Sequence, residues 1–228
     1  MRSGRFSVTL MIGAPGAGKG TQARTLCRAL GIPHVASGDL LREHRRQGTP
    51  LGQIAQAYMD RGDLVPDDLV VDMVIARLGE PDAVNGALLD GFPRTLAQAR
   101  ALDAELTARG GGVRSALFLD VPPTALVARV SGRRVCNDCG GTFHVELQCL
   151  PADGSCPDCG DELIQRSDDQ GSVVARRVAV YIQETTPVLD HYRARGLVQS
   201  VDGDHTVEQV STDLLAAVRG WVRELVAS

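Results

Sequence analysis

The sequence contains almost no lysine: 23 of its 24 basic residues are arginine, and Lys19 is the only lysine. A compact ammonium group can follow a moving phosphoryl group, whereas a rigid guanidinium replaces it poorly. The single lysine is therefore a candidate for a functional role. Aromatic residues are also scarce, at 4% of 228 residues, while 43% are hydrophobic. The expected core is therefore built mainly from leucine, valine and alanine.

Long apolar segments are missing as well. The sequence has no run of about 18 apolar residues, and residues 1–7 lead into an apolar strand without the hydrophobic segment of a signal peptide. These absences predict a cytoplasmic protein that does not bind membranes. The formal net charge of −4, with the arginines dispersed along the chain, argues against a general nucleic-acid binder.

A glycine-rich segment, Gly-Ala-Pro-Gly-Ala-Gly-Lys-Gly-Thr at residues 13–21, lies between an apolar run and a helix predicted over Gln22 to Leu30. This order is typical of a phosphate-binding loop, because the four glycines allow positive φ and let backbone N–H groups approach an anion. The alternative is an ordinary glycine-rich turn. Gly20 stands where such loops usually place a hydroxyl that holds Mg²⁺. Mg²⁺ is therefore expected to be held more by water and nucleotide oxygens than by this loop.

Five apolar runs alternate with segments of helical periodicity, which predicts an α/β fold of three layers, with a five-stranded parallel sheet covered by helices on both faces. Ligands are then expected at the carboxyl ends of the strands. The predicted strands are 6–12, 33–36, 87–90, 115–121 and 197–201. Further helices are predicted over 51–60 and 67–78, which form a helical insertion, and over 171–195 and 207–226.

Charged and polar residues follow these strands. Ser37 is the predicted N-cap of a helix that carries Arg42, and periodicity alone favours a solvated helix charge for that arginine. Asp90 ends a buried strand, where a carboxylate either holds the water shell of Mg²⁺ or caps a turn. Arg94 and Gln98 are four residues apart, so they are predicted to share a helix face on which the amide could read a base edge.

The six cysteines include two Cys-x2-Cys pairs, formed by Cys136, Cys139, Cys156 and Cys159. Two such knuckles in glycine-rich turns are typical of a structural Cys₄ zinc site, and a reducing compartment favours a metal over disulfides. The sequence therefore predicts an inserted zinc ribbon with one Zn²⁺ per chain. His144 is an alternative ligand that the site does not need, while Phe143 and Val145 are expected to pack the module. Cys27 and Cys149 are most simply a core thiol and a surface thiol of the inserted module.

Taken together, these motifs resemble those of bacterial adenylate kinases of the long-lid, zinc-containing type, from about Arg5 to the C-terminal helix. The resemblance implies a P-loop core at 1–35, 66–131 and 170–228, a monophosphate-binding insertion at 36–65 and a zinc-binding lid at 132–169. It also reverses the interpretation of Arg42 as a solvated charge. The matching motifs are residues 13–21, Ser-Gly-Asp-Leu-Leu-Arg at 37–42, Leu-Asp-Gly-Phe-Pro-Arg at 89–94, Gly-Arg-Arg-Val-Cys at 132–136 and Gln-Arg-Ser-Asp-Asp at 165–169.

The resemblance further implies reversible transfer of the γ-phosphoryl group of Mg-ATP to AMP, giving two ADP, by direct in-line attack under a closed lid. A monomer is expected. The implied catalytic residues are Lys19, Arg94, Arg133, Arg166 and Arg177. The implied ATP site is Gly16, Ala17, Gly18, Lys19, Gly20, Thr21, Arg129, Arg133, Thr142, Phe143 and His205. The implied AMP site is Ser37, Arg42, Asp63, Leu64, Val65, Gly91, Phe92, Pro93, Arg94, Gln98, Arg166 and Arg177. Asp90 is implied for Mg²⁺, and Asp168 and Asp169 for holding lid arginines in place.

Three departures from the family pattern concern the nucleotide sites. Ser37 stands where threonine is common, Gln148-Cys149-Leu150 replaces Asn-Pro-Pro, and Leu147 replaces an aromatic ring near the ATP base. Loss of that ring predicts looser selection of the donor base, by roughly tenfold at most. One alternative is a kinase for another monophosphate, although the long lid and Gln98 favour AMP over UMP or CMP. A zinc-ribbon nucleic-acid-binding protein is a second alternative, which the acidic balance opposes.

Overall fold

The computed structural model describes residues 6–136, 138–145 and 150–226. The strands are β1 (Ser7–Gly13), β2 (His34–Ala36), β3 (Ala87–Asp90), β4 (Gly112–Asp120), β5 (Arg133–Cys136), β6 (Thr142–His144), β7 (Leu163–Ile164) and β8 (Val198–Asp202). A five-stranded parallel sheet has the order β2, β3, β1, β4, β8. The predicted α/β class is therefore confirmed.

Helices fill the connections between the parallel strands. Their bounds are α1 (Lys19–Leu30), α2 (Ser37–Arg46), α3 (Pro50–Met59), α4 (Asp67–Arg77), α5 (Leu96–Ala108), α6 (Pro123–Ser131), α7 (Gly171–Val180), α8 (Thr186–Arg193) and α9 (Val207–Val226). A π-helix, Tyr181–Thr185, joins α7 to α8. No helix in the described parts of the chain is long and apolar enough to cross a membrane.

Two buried apolar clusters lie on opposite faces of the parallel sheet, because successive side chains of a strand point to opposite faces. On β1, Leu10 belongs to one cluster with Leu102 of α5, whereas Met11 belongs to the other with Leu26 of α1. Leu10 is 0% exposed, so its replacement by alanine is expected to cost about 2–5 kcal/mol. The two clusters fix the layers and hold the carboxyl ends of the strands at one edge of the sheet.

Several element boundaries differ from the prediction, and three of these differences concern residues near the site. Helix α1 begins at Lys19 and not at Gln22, because the N–H of Gln22 already bonds to the carbonyl of Gly18 at 3.1 Å. Ser37 is the first residue of α2 and not its N-cap, which is Ala36. The single helix predicted over 171–195 is interrupted by the π-helix and ends at Arg193.

A second sheet lies in the segment for which the resemblance implies a lid. Strands β5, β6 and β7 form it, with β5 in the centre and antiparallel to both neighbours. Its central strand begins directly after α6, at Arg133, so the first residue of this sheet projects from the end of a core helix. The sheet is small, and Val135 is its buried apolar residue.

Candidate active site

The glycine-rich loop between β1 and α1 uses its glycines for different purposes. Gly16 and Gly18 have positive φ, at 86° and 89°, a conformation that side chains other than glycine rarely adopt. Gly13 and Gly20 do not have positive φ, contrary to the prediction for all four glycines. At Gly13 a Cβ atom would lie 3.0 Å from the carbonyl oxygen of Leu119, so close packing against β4 requires glycine there.

Lys19 lies inside this loop. Its Nζ donates hydrogen bonds to the carbonyl oxygens of Gly13 at 2.8 Å and Ala14 at 3.0 Å. Burial lowers the pKa of Lys19 from 10.5 to about 8, with further lowering by nearby arginines, while Asp90 opposes the shift. A phosphate anion in the loop would favour the charged ammonium and offset the cost of its burial.

Asp90 stands at the end of β3 beside the loop. His34, at the start of β2, places Nε2 3.2 Å from Asp90 Oδ2. Burial alone would raise the pKa of this carboxyl group, but the hydrogen bond from His34 and the charge of Lys19 hold it below its usual value. A Cβ atom at Gly20 would lie 3.6 Å from Asp90 Oδ2, so an ionised carboxylate adjoins the position where the loop lacks a hydroxyl. This donor set fits Mg²⁺ held through water.

A buried carboxylate holds two of the predicted catalytic arginines together. The side chain of Asp169 is 0% exposed and accepts hydrogen bonds from Arg133 Nε at 2.7 Å and from Arg177 at 2.9 Å. Arg177 also donates to the backbone carbonyl of Asp168 at 2.8 Å and lies 3.2 Å from its carboxylate. The two aspartates therefore contact the arginines that they are expected to position.

The other two arginines predicted to be catalytic, Arg94 and Arg166, are crowded by positive charge. Burial and then the charge of Arg177 lower the pKa of Arg94 to about 10. Burial and then the charges of Arg42 and Arg133 lower the pKa of Arg166 to about 10. Cations that repel each other in this way create a strong site for a polyanion, because a bound phosphate chain relieves the repulsion.

On the side of α2, Arg42 points into the site and is not a solvated charge. Arg42 donates a hydrogen bond to Asp39, and Arg166 lies 3.9 Å from the same carboxylate. Sequence reasoning missed Asp39, although it stands three residues before Arg42 on the same helix. The Ser37 hydroxyl donates to the carbonyl of Gly91 at 2.6 Å, which explains why it does not cap α2.

Gln98 is buried at 2% exposure, and its contacts differ from the prediction. Arg94 precedes α5 and so does not share a helix face with Gln98; instead its backbone N–H donates to Gln98 Oε1 at 2.7 Å. Gln98 Nε2 donates to Asp67 Oδ1 at 2.7 Å. Because a carboxylate only accepts and an N–H only donates, the orientation of the amide is fixed. Sequence reasoning missed Asp67, which no short-range pattern connects to Gln98.

The residues expected around the ATP base lie further along the same edge. Arg129 donates to the carbonyl of Gly203 at 2.8 Å and to Asp204 at 3.0 Å, and His205 is exposed nearby. Val145 is 43% exposed, so it does not pack the small module as predicted. Leu147 and Cys149 lie outside the described residues.

One cavity of about 340 Å³ brings these segments together. It is lined by the glycine-rich loop, by α2, by the end of β3 and by both ends of the segment that contains the second sheet. Two residues of the implied AMP site lie elsewhere: the Phe92 side chain is part of the buried core, and Pro93 lines a neighbouring cavity of about 60 Å³. The lining of the larger cavity includes Lys19, Ser37, Arg42, Asp63, Leu64, Val65, Asp90, Gly91, Arg94, Gln98, Arg129, Arg133, Thr142, Phe143, Arg166, Asp168, Arg177 and His205.

The four cysteines predicted to bind a metal meet in one place. Their Sγ atoms lie within 4.8 Å of one another, with Cys136 and Cys159 3.4 Å apart and Cys139 and Cys156 3.6 Å apart. A tetrahedral zinc with Zn–S bonds of about 2.3 Å separates its sulfurs by roughly 3.8 Å, so the cluster fits such an ion. His144 instead lies 3.2 Å from the carbonyl of Ala128. The remaining described cysteine, Cys27, is buried in the core as expected.

Comparisons with known proteins agree with this arrangement. The chain is similar to the adenylate kinase of Symbiobacterium thermophilum, with 49% identity over 210 residues that cover 92% of this chain and 97% of that protein. The adenylate kinase of Moorella thermoacetica is 46% identical over 213 residues, covering 93% and 98% of the two chains. That of Desulforudis audaxviator is 49% identical over 209 residues, covering 92% and 98%. A family profile described as adenylate kinase matches residues 11–197. The chain therefore belongs to the adenylate kinase family, nucleoside monophosphate kinases that convert ATP and AMP into two ADP.

Proposed function

We propose that this chain catalyses the family reaction by direct in-line transfer of the γ-phosphoryl group of ATP to the phosphate of AMP. The observation that carries this proposal is the shared cavity, which Lys19 enters from the glycine-rich loop and Arg42 enters from α2. Two nucleotides can thus enter one space from opposite sides and bring the donor and acceptor phosphates together. The acceptor is already an anion, so the reaction needs positioning and charge stabilisation more than a general base.

The charged residues divide the work according to their place in the cavity. Lys19 follows the phosphoryl group from the ATP side, while Arg42 and Arg94 hold the AMP phosphate. Arg133 and Arg177 meet the equatorial oxygens, where negative charge concentrates in the transition state. Their positions support this role, because one buried carboxylate, that of Asp169, accepts hydrogen bonds from both. Arg166 adjoins the AMP side, where it lies 3.9 Å from Asp39 of α2.

Mg²⁺ is the cofactor of the family reaction, and Asp90 is the residue that would hold it through its water shell. When bound, Mg²⁺ neutralises charge on the β- and γ-phosphate oxygens. The protein contributes an ionised carboxylate at the end of β3 and a glycine at position 20 that leaves the adjoining space open. His34 keeps the carboxylate ionised and oriented.

For the four-cysteine cluster we propose one structural Zn²⁺. Four thiolates complete the coordination shell, so no position remains for water or substrate. The segment at 132–169 then acts as a lid and that at 36–65 as the AMP-binding insertion, each closing over the shared cavity to exclude water. The lining of that cavity supports this division, because it includes Thr142 and Phe143 from the first segment and Leu64 from the second.

The working unit proposed here is a monomer, because residues of a single chain line both ends of the cavity. A cytoplasmic location stays a prediction from the sequence. Adenine selection is assigned to Gln98 on the AMP side, where the amide lines the cavity with a fixed orientation.

A substrate panel tests the proposal. The purified protein is titrated with ATP, with AMP and with an oligonucleotide, and ADP formation is followed with AMP, CMP, UMP or GMP as acceptor. We expect ADP to form from ATP plus AMP and the oligonucleotide not to bind. Faster turnover with another monophosphate would overturn the assignment of AMP, and binding of the oligonucleotide without turnover would overturn the enzymatic function.

A further inference from the structure

Thr185 is a buried residue to which the proposed mechanism assigns no role. It is 6% exposed, and its hydroxyl donates a hydrogen bond of 2.9 Å to the backbone carbonyl of Arg94. The N–H of the same residue is held by Gln98. The main chain of Arg94 is therefore fixed on both sides by side chains from other parts of the fold.

The backbone around Thr185 explains how its hydroxyl reaches Arg94. Thr185 ends the π-helix Tyr181–Thr185. An α-helix turns by about 100° per residue, so residues 177 and 185 would point about 80° apart on an uninterrupted helix. A π-helix turn takes up one additional residue and reduces this angle to about 20°. The π-helix therefore turns Arg177 and Thr185 to the same side, and both line the smaller cavity together with Arg94.

The acceptor of this hydrogen bond indicates that Thr185 does more than stabilise its own helix. Inside a helix, a threonine hydroxyl usually bonds to the carbonyl three or four residues earlier on its own helix. The hydroxyl of Thr185 instead crosses to a residue 91 positions away. The acceptor, Arg94, also donates from Nε to the carbonyl of Gly91 at 2.8 Å, so the direction of its guanidinium depends on where this turn is held.

We propose that Thr185 is a positioning residue for phosphoryl transfer: it holds the main chain of Arg94 and thereby sets where the guanidinium meets the phosphate. This inference rests on the role proposed above for Arg94. The π-helix serves the same end, because it brings the threonine and Arg177 to one face of the helix.

The test compares Thr185→Val, which keeps the shape of the side chain and removes the hydroxyl, with Thr185→Ser, which restores it. The neighbouring Thr186 is exposed, so Thr186→Val is a matched control. We expect Thr185→Val to lower kcat/KM for AMP by roughly tenfold, because one buried acceptor loses its donor. The KM of this variant for ATP should stay near the wild-type value. The variants Thr185→Ser and Thr186→Val should keep a kcat/KM for AMP near that of the wild type. Thr185→Ala also removes the hydroxyl and gives the same comparison if the valine variant does not fold.

A double-mutant cycle separates positioning from general stability. In an Arg94→Ala background, Thr185→Val should change kcat/KM by less than about twofold, because the group that it positions is gone. An equal loss in both backgrounds, or a lower Tm with unchanged kinetics, would overturn the inference. If Arg94→Ala is impaired and Thr185→Val is not, only this inference fails; if Arg94→Ala has wild-type activity, the proposed role of Arg94 fails first.

Discussion

The buried carboxylate of Asp169 accepts two hydrogen bonds from the guanidinium of Arg133. Arg177 donates to the same carboxylate, so one acid joins the first residue of β5 to α7. Because this carboxylate is 0% exposed, the two arginines and not water compensate its charge. Its charge therefore holds both guanidinium groups beside one acceptor.

Replacing Asp169 by asparagine should lower kcat by roughly ten- to a hundredfold, because hydrogen bonds to charged groups contribute about 1.5–3 kcal/mol. One side of the amide would present donors to an arginine and would push it out of position. The measurement is ADP formation at saturating ATP and AMP. Asp161→Asn, at an exposed position, is the control, and a wild-type kcat for Asp169→Asn would contradict the positioning role.

Lys19→Ala and Arg94→Ala should each lower kcat by roughly 10²–10³ while Tm changes little, because each removes one donor to phosphate oxygens and neither holds apolar packing. The same ADP-forming assay with thermal denaturation checks both. Arg28→Ala, on the exposed side of the helix that carries Lys19, should be neutral. Normal turnover in either variant would exclude that residue from the site.

The single lysine allows its titration to be measured selectively. With a pKa of about 8, Lys19 in the free protein is protonated and unreactive toward an amine reagent below pH 8, and neutral and reactive above it. Bound ATP adds negative charge, favours the protonated form and raises this pKa, so the reaction should slow at pH 8. Mass spectrometry of a digest separates Lys19 from the terminal amine. In denaturant the midpoint should return to about 10.4.

Two results would count against this prediction. A midpoint near the denatured value in the folded protein would show that Lys19 is not buried in the loop. An unchanged labelling rate with saturating ATP would show that the nucleotide does not occupy the loop beside the amine.

Removal of the metal should reduce stability more than activity. We expect one Zn²⁺ per chain, and chelation or Cys156→Ser should lower Tm by several degrees or more, because structural zinc contributes roughly 10–16 kcal/mol to a small domain with little core. In the cold, the metal-free enzyme should keep measurable activity. Metal analysis, calorimetry and the ADP assay on one sample test this, with Cys27→Ser as a thiol variant that should retain zinc.

This experiment can fail in two distinct ways. Absence of zinc from protein with reduced thiols would refute the metal site. Loss of activity on mild chelation without a change in Tm would refute its structural role.

Gln98→Leu should weaken selection of the acceptor base. Its amide has a fixed donor and acceptor direction, so its loss should raise KM for AMP by roughly tenfold and reduce the preference for AMP over GMP, with KM for ATP unchanged. Initial rates with both acceptors measure this. Gln183→Leu, at an exposed position, is the control. An unchanged ratio of AMP to GMP turnover would indicate that another group selects the base.

The parallel sheet could be predicted from the sequence because its strands are short, apolar and separated by helical periodicity. Sequence motifs also revealed the glycine-rich loop, Asp90 and the cysteine pairs, because their chemistry depends on residues close together in sequence. The contacts of three other residues with the site could not be predicted. Asp67 and Thr185 reach it through the packing of separate segments, and Asp39 reaches it across a helix face. A search for the 3.6-residue period of an α-helix does not detect a π-helix turn, so hydrophobic periodicity predicts one continuous helix there.

Local sequence alone thus determined the fold class, the phosphate loop, the four-cysteine cluster and the single lysine. Each follows from backbone freedom, hydrophobic periodicity or ligand spacing, which act over a few residues. Tertiary structure alone decided which arginines share Asp169, which way the Gln98 amide points and why Thr185 reaches Arg94. These relations join residues many positions apart, and only burial in a common low-dielectric environment makes their charges and hydrogen bonds depend on one another.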